Sequence, residues 1–267
     1  MPVPGTDEVP RVGLVLGGGG TIGAAYHAGV LAALHHDLGW DARRAEVVVG
    51  TSAGSLVGGL LRLGVPPDDL AALTVGGSAL QSHPAVVKAL VERPALPPFT
   101  LLVCATRRRD CHRTVFGNGG RAAALSQAVA ASCAVPGYFR GVEIDGDCYV
   151  DGGVISATNA DVLRRHDVDL AVVVSPMSGT TRGRSVADTI RRVCRRAVDA
   201  ERGVLRRHGV PSVVIEPGPE VLAHMTTDFM SDEALSDIVR GAFLETGAQV
   251  LREVELTSLR PARRRAS

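Results

Sequence analysis

Residues 12–23 read VGLVLGGGGTIG, and this stretch decides the fold class. A short apolar run, Val12–Leu16, leads into four consecutive glycines, and these lead into a helical pattern over Thr21–Leu38. Glycines allow the backbone to turn sharply between two elements, so this order is typical of the first strand–loop–helix unit of an α/β domain. Backbone amides in such a loop, together with the N-terminus of the helix, also favour the binding of an anion.

The same loop satisfies a second pattern, because Gly18, Gly20 and Gly23 have the G-x-G-x-x-G spacing of dinucleotide-binding proteins. That fingerprint requires an acidic residue at the tip of the second strand, where it holds a ribose. The second strand, which we predict over Glu46–Val49, is followed by Gly50-Thr51-Ser52 and carries no acid at its tip. The loop alone leaves three interpretations open: a tight strand–helix turn, an anion-binding loop and a dinucleotide site.

Short apolar runs alternate with longer helical patterns along the rest of the chain, and several runs are continuous Val/Leu segments typical of parallel strands covered on both faces. We predict strands at Val12–Leu16, Glu46–Val49, Thr100–Ala105, Val142–Ile144, Cys148–Val150, Leu170–Val174 and Ser212–Ile215. We predict helices at Thr21–Leu38, Ala53–Leu63, Arg121–Ser132, Val186–His208 and Asp232–Val254, the last with Ser231 as its N-cap.

This rhythm predicts a three-layer α/β/α sandwich with a mostly parallel central sheet. We expect a single domain over residues 11–256, between a flexible N-terminus, residues 1–10, and a basic C-terminal tail, residues 257–267. Pro66-Pro67 and Pro94–Pro98 predict an irregular segment after the second helix that suits a lid or loop.

The composition excludes several classes of protein. Hydrophobic residues make up 45% of the 267 and charged residues 21%, which excludes an intrinsically disordered chain. A net charge of +1 and an aromatic content of 3% disfavour nucleic acid as a partner. Five scattered cysteines without C-x-x-C spacing indicate no metal site and favour buried thiols in a reducing compartment. No signal-peptide pattern and no apolar run of about 20 residues is found, so we expect a cytoplasmic protein.

A second motif, Gly50-Thr51-Ser52-Ala53-Gly54, lies between a predicted strand and a predicted helix. This is the G-x-S-x-G string in the strand–turn–helix context of a nucleophile elbow. Glycines at both ends remove side chains where strand and helix crowd the turn, so Ser52 can protrude from it.

A third motif, Asp151-Gly152-Gly153, follows the predicted strand Cys148–Val150. Taken alone, it is also compatible with an ordinary Asp-Gly turn. Ser52 and Asp151 each end a β-run, so in a parallel sheet we expect both side chains to meet at one edge, where α/β proteins place their active sites.

In this order, the three motifs resemble the patatin-like phospholipase family. The resemblance runs from Val12 to about Met177 and includes Ala131–Phe139, which is similar to the A-S-x-A-x-P block of that family. It implies an α/β/α sandwich and a Ser–Asp dyad that works without a catalytic histidine, a metal or an organic cofactor, with Ser52 as the nucleophile and Asp151 as the base. It also implies oxyanion donors and motif glycines, namely the amides of Gly19, Gly20 and Ala53 and the residues Gly18, Gly23, Gly50, Gly54, Gly152 and Gly153.

One position departs from the family pattern, and the histidines require a separate test. Ile22 occupies the place where the family usually has Arg or Lys before the last glycine of the loop. A conventional triad needs a histidine downstream of the serine and the acid. Among His166, His208 and His224, only His224 is a serious candidate, since the other two adjoin arginines at predicted helix ends. We interpret His27 as a packing residue.

These features predict a serine acyl hydrolase that cleaves carboxylic esters of lipids, with a lipid or a small ester as substrate and no nucleic-acid partner. Two alternatives stay open: a dinucleotide-binding oxidoreductase that uses Gly18–Gly23, and a catalytically silent lipid-binding or regulatory module. The arginine clusters predict either solvated surfaces or transient contact with an anionic membrane, which implies a peripheral location. They lie at Arg107–Arg109, Arg191, Arg192, Arg195, Arg196, Arg206, Arg207 and Arg263–Arg265.

Overall fold

The protein is described here by a computed structural model that covers residues 10–75, 80, 86, 88–89, 100–117, 120–179 and 183–258, with side chains to residue 252. The strands are β1 (Val12–Leu16), β2 (Val47–Thr51), β3 (Thr100–Arg107), β4 (His112–Gly117), β5 (Val142–Ile144), β6 (Asp147–Asp151), β7 (Leu170–Val174) and β8 (Ser212–Ile215). The helices are α1 (Gly20–Leu38), α2 (Ala53–Arg62), α3 (Pro67–Val75), α4 (Leu125–Ser132), α5 (Val186–Arg207), α6 (Pro219–His224) and α7 (Leu235–Ser258). Short 3₁₀ turns lie at Ala42–Arg44, Gly152–Val154 and Ala160–Arg165.

The eight strands form one mixed sheet in the order β5-β6-β3-β2-β1-β7-β8, with β4 paired to β3. Strands β3, β2, β1, β7 and β8 run parallel to their neighbours in this order. The pairs β3–β4, β3–β6 and β5–β6 are antiparallel. The prediction of an α/β fold with a mostly parallel central sheet is therefore confirmed.

Two hydrophobic cores lie on opposite faces of this sheet, because alternate side chains of each strand point to opposite sides. Leu14 and Leu16 of β1 belong to the core that also contains residues of α1, α2 and α7. Val15 belongs to the second core, which contains residues of α5 and of the 3₁₀ turn Ala160–Arg165. Burial on both faces explains why β1 is entirely hydrophobic apart from one glycine.

Several elements differ from their predicted form. Pro67 is the first residue of α3 and not part of an irregular segment, because a proline is well tolerated where a helical amide has no partner. The last helix begins at Leu235, so Ser231 is not its N-cap. The segment Pro94–Pro98, where we expect a lid or loop, lies outside the described residues, as do residues 1–9 and 259–267. All five cysteines are free, and Cys111 is exposed where the composition favours buried thiols.

Within the described residues, no helix combines the length and the apolar character that a membrane span requires.

Candidate active site

Ser52 lies on the turn between β2 and α2 and has a strained backbone, with φ 51° and ψ −123°. These dihedral angles are those of the first central residue of a type II′ turn, a position that glycine dominates. The flanking glycines are needed because a Cβ at Gly54 would lie 1.9 Å from the carbonyl oxygen of Leu16, and a Cβ at Gly50 would lie 2.5 Å from Ser55 Cα. The turn thus has the geometry of a nucleophile elbow.

The backbone amide of Ser52 is held by α4. It donates a hydrogen bond to Ser132 Oγ at 2.8 Å, and this hydroxyl in turn donates to the carbonyl oxygen of Cys104 at 2.6 Å. Ser132 belongs to the Ala131–Phe139 block, which therefore stabilises the turn through this hydrogen bond. This link connects residues far apart in the sequence and carries no local signal by which it could be predicted.

Asp151 approaches Ser52 by a different route from the one we expect for parallel strands. Strand β3 pairs with β2 as far as Cys104, opposite Thr51, and then continues to Arg107. Strand β6 pairs antiparallel with this extension, and Asp151 lies opposite Ala105. The expectation that both residues end parallel strands is wrong. Ser52 and Asp151 meet because β6 runs antiparallel along the extension of β3, and its last residue, Asp151, therefore lies beside Ser52.

The carboxyl group of Asp151 is 5% exposed and only partly bonded. Its Oδ1 accepts a hydrogen bond from the Gly153 amide at 2.6 Å, whereas its buried Oδ2 has no hydrogen-bond partner of normal geometry. Burial raises the pKa of Asp151, and the nearby Ser52 hydroxyl and the Gly153 amide lower it by less. An acceptor atom without a partner next to a hydroxyl has the chemistry of a general base.

The glycine loop lies beside Ser52, since a Cβ built on Gly18 would be 3.3 Å from Ser52 Cβ. Gly19 has a φ of +156° and Gly20 a φ of +61°. A Cβ at Gly20 would lie 2.3 Å from the carbonyl oxygen of Phe229. The loop therefore requires glycine at residue 20 for both its conformation and its space.

The amides of the loop are not equivalent. The Gly18 amide donates to the carbonyl oxygen of Ala157 at 2.7 Å and is therefore already used. Within the described residues, the amides of Gly19, Gly20 and Ala53 donate no hydrogen bond. Two of these lie at the N-terminus of α1 and one at the N-terminus of α2, where helix dipoles favour negative charge.

Ile22 and His27, both on α1, face the protein interior. Ile22 is buried in the core with α2 and α7. An apolar side chain therefore occupies the position where the family usually has Arg or Lys. His27 is fully buried, and its Nε2 lies 2.7 Å from the carbonyl oxygen of Gly17. Burial lowers the pKa of His27 to about 4, so the neutral ring donates this bond. The residue packs, as expected, and it also anchors the start of the glycine loop.

One loop after Asp151, Ser156–Ala160, contacts all three motifs. The carbonyl oxygen of Ala157 accepts a hydrogen bond from the Gly18 amide, and Asn159 Nδ2 donates a hydrogen bond to Thr51 Oγ1 at 3.1 Å. The same amide group lies 3.5 Å from the carbonyl oxygen of Gly152. Asn159 adopts a left-handed conformation with φ 52°, which asparagine tolerates better than most residues.

Glu201 of α5 stabilises this loop through hydrogen bonds. Its carboxylate accepts hydrogen bonds from Ser156 Oγ at 2.6 Å, from Thr158 Oγ1 and from the Ala160 amide at 3.0 Å. The side chain is buried, and burial raises the pKa of Glu201 while these three donors lower it. Sequence reasoning missed Glu201 because it occupies one position of an otherwise ordinary amphipathic helix.

Cys133 is the other nucleophilic group beside Ser52. Its thiol lies 3.8 Å from Ser55 Oγ. Burial and the Asp151 carboxylate raise the pKa of Cys133 to about 12. The thiol is therefore protonated at neutral pH and cannot compete as a nucleophile.

In the described part of the chain, no hydrogen bond or ion pair joins a histidine to Ser52 or Asp151. His224, the candidate for a conventional triad, is exposed at the end of α6. The site thus brings together Ser52, Asp151, the glycine loop and the Ala53 amide without a histidine.

The sandwich and its turn define the class: an α/β protein with a nucleophile elbow after a central strand. The family model described as patatin-like phospholipase matches residues 14–83 and 86–164, more than half of the chain. The chain belongs to the patatin-like phospholipase family. This membership leaves the dinucleotide interpretation of Gly18–Gly23 without support.

Individual relatives agree with this assignment. Proteins named as uncharacterized NTE family proteins, from Mycobacterium tuberculosis and Mycobacterium bovis, are 28% identical to this chain over 209 residues. The match covers 68% of this chain and 55% of theirs, so the chain spans about half the length of these curated relatives. The crystal structure of VipD from Legionella pneumophila is similar with a TM-score of 0.54. It is 14% identical, and the match covers 92% of this chain and 67% of that chain, which is a likeness of fold.

Proposed function

We propose that this chain is a serine acyl hydrolase that cleaves carboxylic esters of lipids, with Ser52 as the nucleophile and Asp151 as the general base. The observation that carries the proposal is a serine on a strained turn beside a buried carboxylate that has one oxygen without a partner. Family membership supports action on lipid esters in general.

In the proposed reaction, Ser52 Oγ attacks the acyl carbonyl carbon while Asp151 accepts the hydroxyl proton. The amides of Gly19, Gly20 and Ala53 donate to the oxyanion that forms on the carbonyl oxygen. Collapse of this intermediate releases the alcohol, which takes the proton from Asp151, and leaves an acyl group on Ser52. A water molecule then attacks the acyl-enzyme, gives its proton to Asp151, and releases the carboxylic acid as Ser52 regains its hydrogen.

Apolar side chains on both sides of Asp151 support a lipid substrate. Val154 and Ile155 follow it after two glycines and are 49% and 43% exposed. Tyr138 and Phe139 are more exposed still, and their segment is tied to the site because the Asp151 amide donates to the carbonyl oxygen of Ala134 at 3.0 Å. Exposed apolar groups beside a polar site suit acyl chains better than a small polar ester.

Transient contact with an anionic membrane stays a prediction, and the arginine clusters contribute unequally to it. Arg191 is buried and donates to the carbonyl oxygens of Pro176 and Ser178. Arg107 and Arg195 are paired with acidic side chains. These three residues therefore add little to any membrane-facing charge.

Labelling with a fluorophosphonate tests the nucleophile. We expect the wild-type chain to react at Ser52, and the Ser52→Ala variant to lose both labelling and hydrolysis of a short p-nitrophenyl ester. Ser236→Ala is a matched control, because Ser236 is an exposed serine on α7, and it should label normally. An unlabelled wild-type chain that still binds lipid would favour the silent lipid-binding module.

The pH dependence of kcat/KM tests the base. Asp151 must be ionised to accept a proton, so the rate should fall as the pH drops through its pKa, which burial raises above the ordinary 3.8. Asp151→Asn should reduce turnover by orders of magnitude and remove this acid limb, whereas His224→Ala should keep most of the rate. A His224→Ala variant as inactive as Ser52→Ala would overturn the dyad in favour of a triad.

A further inference from the structure

A cluster of potential metal ligands lies at the other end of α1, away from the glycine loop. His35 and His36 are in the last turn of α1, and Asp68 is in the first turn of α3. In the part of the chain that the structure describes, this is the group of three histidine, cysteine or acidic side chains whose ligand atoms lie close enough to share an ion, all within 4.8 Å of one another. With a rise of about 1.5 Å per residue, the fifteen-residue step from Gly20 to His35 corresponds to about 22 Å along the helix, so the cluster is separate from the active site.

The distances in the cluster suit a tetrahedral ion. His35 Nδ1 lies 3.3 Å from Asp68 Oδ2, and His36 Nε2 lies 3.0 Å from Asp68 Oδ1. Zinc binds such ligands at about 2.0–2.1 Å, which places neighbouring ligand atoms of a tetrahedron about 3.3 Å apart. The nearer ring nitrogen of His35 and the farther ring nitrogen of His36 thus converge on one carboxylate, each beside a different oxygen, and the three ligand atoms lie within 4.8 Å of one another.

The ligand atoms are close together but do not satisfy one another. His35 Nδ1 and Asp68 Oδ1 are both buried as atoms, and neither makes a hydrogen bond of normal geometry. A buried polar atom without a partner is costly, and a bound ion would remove that cost for both atoms at once. The position also suits a cation, because the C-terminus of α1 carries partial negative charge and Asp68 supplies a full one.

We propose that His35, His36 and Asp68 bind one divalent first-row transition-metal ion of the zinc type. The ion takes two imidazole nitrogens and one carboxylate oxygen, and water completes its coordination. It joins the end of α1 to the start of α3 and stabilises the helix that begins at the glycine loop. Hard cations such as Mg²⁺ prefer oxygen ligands throughout and do not bind here.

Titration calorimetry of the full, untagged chain with ZnCl₂ at about pH 7.5 tests the proposal. We expect one saturable site, and a loss of affinity of at least about tenfold in each of His36→Ala and Asp68→Asn. His112→Ala, which removes an exposed histidine of β4, should bind as the wild type does, and Mg²⁺ should give no binding. Addition of Zn²⁺ at about a hundred times its wild-type Kd should raise the wild-type Tm by about 5 °C and the Tm of the two ligand variants by about half of that or less.

Two results of the binding measurements would overturn the proposal. One is the absence of saturable Zn²⁺ binding below about 1 mM. The other is equal affinity in the wild type, His36→Ala and Asp68→Asn. Circular dichroism checks that each variant is folded, and His36→Gln replaces His36→Ala if it is not. Substitution with Co²⁺ adds a geometric readout, since intense visible absorption indicates four-coordinate binding and its absence excludes the tetrahedral site.

Discussion

Replacing Ser52 with glycine should stabilise the protein while abolishing its proposed activity. The positive φ of Ser52 strains any residue that has a Cβ, and such strain costs about 1–3 kcal/mol. Ser52→Ala and Ser52→Gly both remove the hydroxyl beside Asp151, so the difference between the two variants isolates the backbone.

The expected difference follows from two opposing effects. Glycine releases the strain of about 1–3 kcal/mol, and it loses about 0.5–1 kcal/mol more conformational entropy on folding than alanine does. Ser52→Gly should therefore be about 1 kcal/mol more stable than Ser52→Ala, which corresponds to about 2–4 °C in Tm for a chain of this size. Urea denaturation of both variants measures the free energy of unfolding directly.

Ser55 provides the control, because it lies within α2 in a regular helical conformation three residues further on. There the order should be reversed, with Ser55→Gly about 1 kcal/mol less stable than Ser55→Ala. If Ser52→Gly were equal to or less stable than Ser52→Ala, Ser52 would not store strain, and the nucleophile-elbow argument would be refuted.

The remaining predictions concern the residues that support the site. In Glu201→Gln, an amide group replaces a carboxylate that only accepts hydrogen bonds. The free energy of unfolding, measured by urea denaturation, should therefore fall by about 1–3 kcal/mol, and turnover in an esterase assay should fall as well. An unchanged Tm would contradict this. His27 takes up a proton in the unfolded chain near pH 6.5 but in the folded chain only near 4, so acidification across this window should remove about 3 kcal/mol of stability. Denaturation curves of the wild type at both ends of the window test this, and His27→Gln should flatten the dependence. Gly19→Ala would place a Cβ 2.9 Å from a backbone carbon, so turnover should fall about 100- to 1,000-fold if its amide is an oxyanion donor. Gly39→Ala, a positive-φ glycine in open space, should lose stability but keep its rate.

The sequence predicts the parts of the site that local pattern determines. Ser52 was identifiable because its glycines and its position between strand and helix are contiguous in the chain. The route by which Asp151 reaches it was not, because strand direction depends on pairing with β3, and both parallel and antiparallel neighbours fit the same apolar run.

Elements and contacts that depend on distant partners were missed for the same reason. Strand β4 has one buried residue among six and lacks a clear alternation, so it carries little apolar signal. Ser132 and Glu201 make hydrogen bonds to residues at least 28 positions away in the sequence, and no local motif predicts a partner at such a distance.

The order of the strands has a consequence for synthesis on the ribosome. Strand β1 leaves the ribosome before the other strands of the sheet, yet it lies between β2 and β7. The loop that contacts the glycine motif is held by Glu201 of α5. A nascent chain that ends before α5 has Ser52 and Asp151 but lacks the support beneath Ser156–Ala160. Translation thus completes the surroundings of Ser52 well after Ser52 itself is made, and activity of the proposed kind begins only after α5 has emerged.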